Sequence, residues 1–251
     1  MKLVVSILLL TATPALAGGV LSEDFRISSK TLGYDVQYRV YVPQGAGPAE
    51  NLPVIFTTDG YWFVKALHMP KVLDRVIESN SISPVVAVFV DARDPDNLQV
   101  NRRNHEFYCN PQYLQFFVDE LIPTIEEAYP VQRVRDARTI IGLSFGGLNA
   151  ACFGLLGYET FSGIGMLSPA THPVQTLLPT YEAAPKLPLR IFLSTGWPGD
   201  NTATNRKFRK ILKKKGYEME FIQTRSGHDW DNWRPLIDDV LRFFYGAASE
   251  E

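Results

Sequence analysis

The sequence has few cysteines, few histidines and no excess of positive charge, and each of these shortages narrows the functions that it can have. Two of its 251 residues are cysteine, so at most one intrachain disulfide can form, and only 4 are histidine, which leaves few candidates for a catalytic base. Lysine and arginine total 25 against 27 aspartates and glutamates, a balance that gives no reason to expect nucleic acid as a partner. No internal repeat or low-complexity tract argues for a second structural unit. One basic cluster is predicted to be the solvated face of a helix: Arg206, Lys207, Arg209, Lys210, Lys213, Lys214 and Lys215.

The first residues have the pattern of a secretory signal peptide over residues 1–17. A short basic start precedes an apolar run over residues 3–10, which is too brief to span a bilayer. Ala15 and Ala17 place small side chains where a signal peptidase reads them. We expect cleavage after Ala17, a periplasmic or secreted protein without stable membrane insertion, and a single mature domain over residues 18–251. The alternative is a buried N-terminal strand or helix.

Both cysteines, Cys109 and Cys152, lie in the mature chain. An oxidising compartment would permit a disulfide between them, provided that their geometry allows it. The alternative is two small, buried, apolar side chains. The sequence leaves both readings open.

Short apolar runs alternate with segments of helical spacing along the chain. After an antiparallel hairpin formed by residues 20–28 and 34–42, strands are predicted at 52–57, 84–90, 139–143, 163–167, 189–194 and 220–224. Helices are predicted at 62–78, 113–128, 146–156, 202–215 and 231–245. This alternation predicts an α/β fold with a mostly parallel central sheet and helices on both faces. Ligands of such sheets bind beyond the carboxyl ends of the strands.

A glycine-rich turn follows the strand predicted at 139–143. Its sequence is Gly-Leu-Ser-Phe-Gly-Gly, and a helical pattern begins directly after it, as a nucleophile elbow of an α/β-hydrolase requires. The glycines would let strand and helix approach each other while Ser144 adopts a strained backbone and exposes its hydroxyl. We therefore predict that Ser144 is a nucleophile; the alternative is a structural glycine-rich turn.

A serine hydroxyl needs a base, and in this fold the acid and then the histidine follow the serine along the chain. This order excludes His68 and His105, which precede Ser144. His172 follows the strand predicted at 163–167 with no suitable acid before it. His228 ends the last strand in Ser-Gly-His-Asp-Trp, where a glycine lets the loop fold back over the sheet, so His228 is the predicted base.

The acid is expected on the loop after the strand predicted at 189–194. Asp200 lies there, although it could instead cap the following helix, a role that Asn201 could also fill. The negative charge that develops on the substrate oxygen requires two backbone N–H donors. We predict that these come from Phe145, directly after the nucleophile, and from Tyr61, after an early strand and a flexible glycine.

Together these motifs resemble the esterase family of the α/β-hydrolase superfamily that includes enterochelin (siderophore) esterases, feruloyl esterases and S-formylglutathione hydrolase. The resemblance spans nearly the whole mature chain. It rests on Asp59-Gly60, Val90-Asp91-Ala92, Arg103-Asn104-His105-Glu106-Phe107, Glu120-Leu121-Ile122-Pro123, the Ser144 elbow, Gly227-His228-Asp229-Trp230 and Trp233-Arg234. It implies a serine triad, no metal or other cofactor, a minimal cap, and a pocket wall shaped by Arg103 and Glu106. The chain departs from the siderophore enzymes at residues 197–201, which replace a shorter loop that bears glutamate.

The substrate is expected to be a small-molecule ester. Trp62, Trp197 and Trp230 fall on or near loops at the active edge and would suit an aromatic acyl group such as a catecholate or ferulate; alternatively they pack the loops. Arg103 could bind an anionic substrate group or pair with Glu106. The sequence thus predicts a serine carboxylic-ester hydrolase that acts through an acyl-enzyme. The alternatives are a secreted acyltransferase with the same triad and a non-catalytic binding protein on the same fold.

Overall fold

A computed structural model describes residues 18–47 and 49–246, so the expected signal peptide lies outside the described residues. The strands are β1 (Val20–Leu21), β2 (Phe25–Ser28), β3 (Asp35–Val42), β4 (Val54–Thr57), β5 (Val86–Asp91), β6 (Arg93–Asp94), β7 (Asn97–Asn101), β8 (Arg138–Leu143), β9 (Gly163–Leu167), β10 (Arg190–Thr195) and β11 (Glu218–Gln223). The helices are α1 (Gly60–Lys65), α2 (Met69–Glu78), α3 (Arg103–Glu106), α4 (Pro111–Phe116), α5 (Ile122–Ala128), α6 (Phe145–Leu156), α7 (Leu177–Ala183), α8 (Thr202–Lys214), α9 (Trp230–Trp233) and α10 (Leu236–Tyr245). A π-helical turn (Phe117–Leu121) joins α4 to α5, and a 3₁₀ turn (Arg135–Ala137) precedes β8.

Nine of the described strands form a large, mostly parallel sheet, and β6 and β7 form a separate two-stranded sheet. The order of the large sheet is β1-β3-β5-β4-β8-β9-β10-β11, with β2 also paired to β3. From β5 to β11 all neighbouring strands are parallel, whereas β3 runs antiparallel to each of its partners. Every residue of β4 and of β9 is buried, because helices cover both faces of the sheet. The predicted α/β-hydrolase fold is confirmed.

The core consists of two apolar layers, one on each face of the sheet. Helices α1, α2 and α10 contribute to one layer, for example through Phe63, Leu73 and Ile237. Helices α4, α6 and α8 contribute to the other, for example through Phe153 and Phe208. The parallel strands between these layers are thereby held in a fixed register, and their carboxyl ends present the loops that follow them on one edge.

Helix α8 confirms the prediction for the basic cluster. Phe208 and Ile211 face the core, whereas six of the seven basic residues are exposed and Lys215 is partly exposed. The spacing of the buried positions places the charges on the opposite face of the helix, where water solvates them.

Two of the predicted helices are broken. The segment 62–78 ends one helix at Lys65 and begins another at Met69, because His68 adopts a left-handed backbone with a φ of 51°. The segment 231–245 divides into α9 and α10 around Pro235, whose missing N–H suits the start of a helix. Helices α3 and α7 and the β6–β7 hairpin were not predicted, because each is short.

Cys109 and Cys152 form a disulfide, with their Cα atoms 4.9 Å apart. The bond ties the segment after α3 to the buried face of α6, the helix that follows Ser144. It closes a loop of 43 residues, which corresponds to a contribution of about 4 kcal/mol to the free energy of unfolding in the chain-entropy description. The disulfide reading of the two cysteines is therefore the correct one.

Candidate active site

Ser144 lies at the sharp turn between β8 and α6. Its φ of 55° and ψ of −118° are a backbone conformation that residues with a side chain rarely adopt. A Cβ atom on Gly142 would overlap the carbonyl oxygen of Gly146, and one on Gly146 would lie 2.6 Å from Thr58 Oγ1. Both positions require glycine for the turn to close. The strand–turn–helix predicted from the sequence thus places the Ser144 hydroxyl at the edge where the parallel strands end.

His228 lies in the loop between β11 and α9, and its imidazole faces Ser144. The distance from His228 Nε2 to Ser144 Oγ is 2.8 Å. The ring packs edge-on against Trp233, with 4.8 Å between the centroids, which limits its rotation. The neighbouring Asp229 caps α9 instead, because its Oδ1 accepts the backbone N–H of Asn232 at 3.1 Å. The structure thus brings His228, the predicted base, within hydrogen-bonding distance of the predicted nucleophile.

Asp200 has a fully buried side chain and completes a chain of hydrogen bonds. Its Oδ1 lies 2.6 Å from His228 Nδ1. The remaining donors to its carboxylate are Thr195 Oγ1, the backbone N–H groups of Gly196 and Asn201, and Asn232 Nδ2. Burial alone would raise the pKa of Asp200, but the hydrogen bonds from His228 and from the Gly196 N–H lower it to about 2. Asn201 occupies the N-cap position of α8 without a side-chain capping hydrogen bond, and the Asp200 carboxylate contacts His228.

The two backbone groups predicted to bind the substrate oxyanion belong to the first turns of helices. Phe145 is the first residue of α6, and Tyr61 is the second residue of α1. N–H groups at these positions lack an acceptor within their own helix. The loop before α1 adjoins the start of α6, because Thr58 lies beside Gly146. The helix starts that contain Phe145 and Tyr61 are therefore neighbours.

Arg103 pairs with a carboxylate that the sequence analysis did not assign to it. Its Nη2 donates to Asp59 Oδ2 at 2.8 Å, and its guanidinium carbon lies 5.5 Å from the centre of the Phe145 ring. The alternative in which Arg103 pairs with Glu106 is therefore wrong. Burial raises the pKa of Asp59 to about 6 although Arg103 lies beside it. Asp59 belongs to the Asp-Gly motif, but nothing in the sequence relates it to Arg103.

Glu106 is almost completely buried, with 2% of its surface exposed. Its Oε1 accepts the hydroxyl of Tyr34 at 3.1 Å. Burial raises the pKa of Glu106 to about 8, so the carboxyl carries a proton at neutral pH. Glu106 was predicted to shape the pocket wall, but its carboxyl group is buried beneath the surface and is not accessible to a substrate.

Two groups of aromatic side chains flank the Ser144–His228 pair. On the histidine side Trp62 packs on Trp230 at 5.4 Å, and Trp230 packs on the buried Trp233 at 5.3 Å. Trp62 and Trp230 are partly exposed. Trp197, on the loop that carries Asp200, is 57% exposed. The first group, Trp62, Trp230 and Trp233, is called the tryptophan wall below.

The second group surrounds the side chain of Phe145. Tyr108 contacts this ring edge-on at 5.2 Å, and His172 contacts it at 5.5 Å. His172, which was set aside as the base because no suitable acid precedes it, thus lies beside Phe145. Phe145, Tyr108 and His172 are called the phenylalanine wall below. A planar substrate group could contact either wall through its face.

Within residues 18–47 and 49–246, no cluster of histidine, cysteine, aspartate and glutamate has the arrangement of a metal site. None of the helices in the same ranges is both long and apolar enough to cross a membrane.

The chain is similar to known proteins in sequence and in fold. YjcH, an uncharacterised protein of Bacillus subtilis, is 23% identical over 234 residues, which cover 88% of this chain and 95% of YjcH. The crystal structure of the enterobactin esterase of Shigella flexneri matches with a TM-score of 0.79 at 24% sequence identity. The matched region covers 88% of this chain and 58% of the Shigella chain. A ferulic acid esterase matches with a TM-score of 0.78 at 22% sequence identity, and the matched region covers 91% of this chain and 98% of that esterase. The structural likenesses show the shared fold. The family described as "Putative esterase" matches residues 29–244, and the chain belongs to this family.

Proposed function

We propose that this chain is a serine carboxylic-ester hydrolase that acts through an acyl-enzyme. The observation that carries the proposal is the continuous chain of hydrogen bonds from Ser144 Oγ through His228 to Asp200. His228 Nε2 takes the hydroxyl proton as Ser144 Oγ bonds to the ester carbonyl carbon, and the imidazolium then gives this proton to the departing alcohol. Water attacks the acyl-enzyme by the same route and releases the carboxylic acid.

The remaining groups have electrostatic and orienting roles in this mechanism. Asp200 accepts the Nδ1 proton of His228, which keeps Nε2 free to act as the base and stabilises the imidazolium. The N–H groups of Phe145 and Tyr61 would donate to the oxyanion of the tetrahedral intermediate. Because its hydrogen bonds lower the pKa of Asp200 to about 2, Asp200 is a carboxylate at neutral pH.

We propose esters of planar aromatic acids, of the siderophore or feruloyl type, as the substrates. The tryptophan wall and the phenylalanine wall support this proposal, since both present aromatic side chains near Ser144. The similar proteins whose names describe an activity include an enterobactin esterase and a ferulic acid esterase. Arg103, which is partly exposed and directed by Asp59, is available to an anionic substituent of such a substrate.

The decisive experiment is the reaction with an activated aryl ester. A burst of alcohol equal to the enzyme concentration, followed by steady turnover, is expected from the wild type and not from Ser144→Ala. If neither a burst nor steady turnover occurs, the chain is a binding protein on an esterase fold. If the acyl group appears on an added sugar or lipid alcohol in preference to water, the chain is an acyltransferase with the same triad.

A single tryptophan substitution tests the aromatic substrate. Trp62→Ala is expected to raise KM for a feruloyl ester by about 2- to 13-fold, because one aromatic contact contributes about 0.5–1.5 kcal/mol. The KM for an acetyl ester should be unchanged, so the acetyl ester serves as the internal control. Equal KM values of the variant and the wild type for the feruloyl ester would remove Trp62 from the substrate site.

We further propose that the protein is exported. The disulfide between Cys109 and Cys152 supports this, because such bonds persist in oxidising compartments. Protein recovered from the native host is expected to begin at Gly18, and its intact mass should lack both thiol hydrogens. Recovery of a chain that retains Met1 and two free thiols would contradict export.

A further inference from the structure

One buried amide connects the carboxyl ends of three neighbouring strands. Asn232, in α9, has no exposed surface. Its Nδ2 lies 3.0 Å from Ser168 Oγ after β9, 3.3 Å from Asp200 Oδ2 after β10, and 2.9 Å from the carbonyl oxygen of Gly227 after β11. Its Oδ1 accepts the hydroxyl of Thr224 at 2.7 Å. Both polar atoms of this side chain are thus engaged, and three of its four partners, Asp200, Thr224 and Gly227, lie on the two loops that hold the hydrogen-bonded acid and base.

We propose that Asn232 is a positioning residue that holds the Asp200 carboxylate and the His228 loop in one fixed arrangement. The inference rests on the proposed function, in which Asp200 and His228 act as a pair. Asn232 touches neither Ser144 nor, in this mechanism, the ester. It acts through the carboxylate and through the backbone next to the imidazole.

The Asn232 amide contributes a contact to Asp200 in addition to the direct His228–Asp200 hydrogen bond. Thr195, Gly196 and Asn201 also donate to the Asp200 carboxylate, but all three belong to the strand end and loop that carry Asp200 itself. Asn232 Nδ2 approaches Oδ2 from α9, sharing its two hydrogens among Asp200, Ser168 and Gly227, and so links the carboxylate to an element outside that loop. A Cβ atom on Gly196 would lie 2.8 Å from Asn232 Nδ2, so the backbone of the acid loop passes directly against the amide.

Asn232 is also fixed relative to the histidine. Its backbone N–H donates to Asp229 Oδ1 at 3.1 Å, and its side chain donates to the Gly227 carbonyl. Gly227 and Asp229 are the two neighbours of His228 in the sequence. The imidazole and the carboxylate are therefore joined by a second connection through Asn232, in addition to their own hydrogen bond.

Asn232→Ala tests this connection. We expect kcat to fall about 10- to 100-fold with KM within about 2-fold of the wild type, because misplacement of a catalytic pair slows the chemical step and ester binding does not depend on it. Asn205→Ala is the matched control. Asn205 is equally buried, but its amide reaches Thr195 Oγ1 at 3.4 Å and does not contact Asp200. This variant should lose thermal stability while its kcat stays within about 3-fold of the wild type.

Asn232→Asp gives a signature that a purely structural role would not produce. The replacement keeps the shape of the side chain but places a carboxylate oxygen against Asp200 Oδ2. Two carboxylates at this distance share one proton at low pH and repel each other when both are ionised. The titratable groups that face the pair, His228 and Asp229, are the same in both proteins. The kcat of Asn232→Asp relative to the wild type is therefore expected to fall as the pH rises, whereas the ratio for Asn232→Ala should be constant.

Three results would overturn the inference. The first is a folded Asn232→Ala variant with a kcat within about 3-fold of the wild type. The second is an equal loss of kcat in Asn205→Ala and Asn232→Ala. The third is a ratio for Asn232→Asp that does not change with pH, and this measurement also decides the matter if Asn232→Ala does not fold.

A spectroscopic measurement separates this inference from the proposed function. The proton on His228 Nδ1, hydrogen-bonded to Asp200, should give a far-downfield resonance in the NMR spectrum of the wild type and of Asn205→Ala. The resonance should be lost or broadened in Asn232→Ala even if the wild type hydrolyses no ester, in which case the proposed function alone fails. An unchanged resonance in Asn232→Ala would contradict the positioning role.

Discussion

Replacing Ser144 by alanine is expected to lower kcat by about 10⁴-fold or more for any ester that the wild type hydrolyses. The substitution removes the nucleophilic oxygen that His228 deprotonates in the acylation step of the proposed mechanism. Residual turnover would come from water attacking an ester held in the oxyanion site. Steady-state rates with an aryl ester, measured alongside the wild type at equal concentration, give the ratio.

The fold provides the control for this experiment. The hydroxyl of Ser144 contacts His228, whereas the backbone N–H of Ser144 bonds to the Leu167 carbonyl at 2.9 Å and is retained by alanine. The circular dichroism spectrum and the melting temperature of Ser144→Ala should therefore match those of the wild type. A folded variant that keeps a tenth of the activity would remove Ser144 from the nucleophile role.

Replacing Asp200 by asparagine is expected to lower kcat by about 10²- to 10⁴-fold with little change in KM. An amide of the same shape permits the imidazole tautomer that has its proton on Nε2, and this tautomer cannot accept the proton of Ser144. Ester binding does not depend on the tautomer, so KM should be preserved. The measurement is the dependence of the initial rate on ester concentration for both proteins at one pH.

Asp229→Asn is the matched control for Asp200→Asn. It makes the same chemical change in the residue after His228, but Asp229 caps α9, and asparagine caps a helix about as well as aspartate. Its kcat should stay close to that of the wild type. Near-normal turnover by Asp200→Asn, or an equal loss in both variants, would contradict the role of Asp200 as the acid.

The sequence predicted features whose chemistry is local or follows the order of the chain. Ser144 could be predicted as the nucleophile because its glycines, the preceding strand and the following helix are adjacent in the sequence. His228 and Asp200 could be predicted as its partners because parallel strands bring successive loops to one edge, so a residue after β10 and one after β11 are neighbours. The mostly parallel sheet followed from the buried, unbroken apolar runs.

The contacts that the sequence did not reveal join residues far apart in the chain by side-chain geometry. Arg103 meets Asp59 across 44 positions, and no periodicity indicates which carboxylate a given arginine will choose. Asn232 reaches loops after three strands, which depends on the placement of a four-residue helix. The break at His68 depends on a single left-handed backbone angle. Each of these is decided by tertiary packing, which overrides local preference.

The backbone conformation of Ser144 also implies a trade-off between the stability of this protein and its activity. A residue with a side chain held at such a positive φ destabilises the native state by about 1–3 kcal/mol, whereas glycine adopts the same angle readily. Ser144→Gly would relieve that strain while deleting the nucleophile. Directed evolution of this chain for heat tolerance alone would therefore favour an inert protein, so variant libraries need a turnover screen in every round.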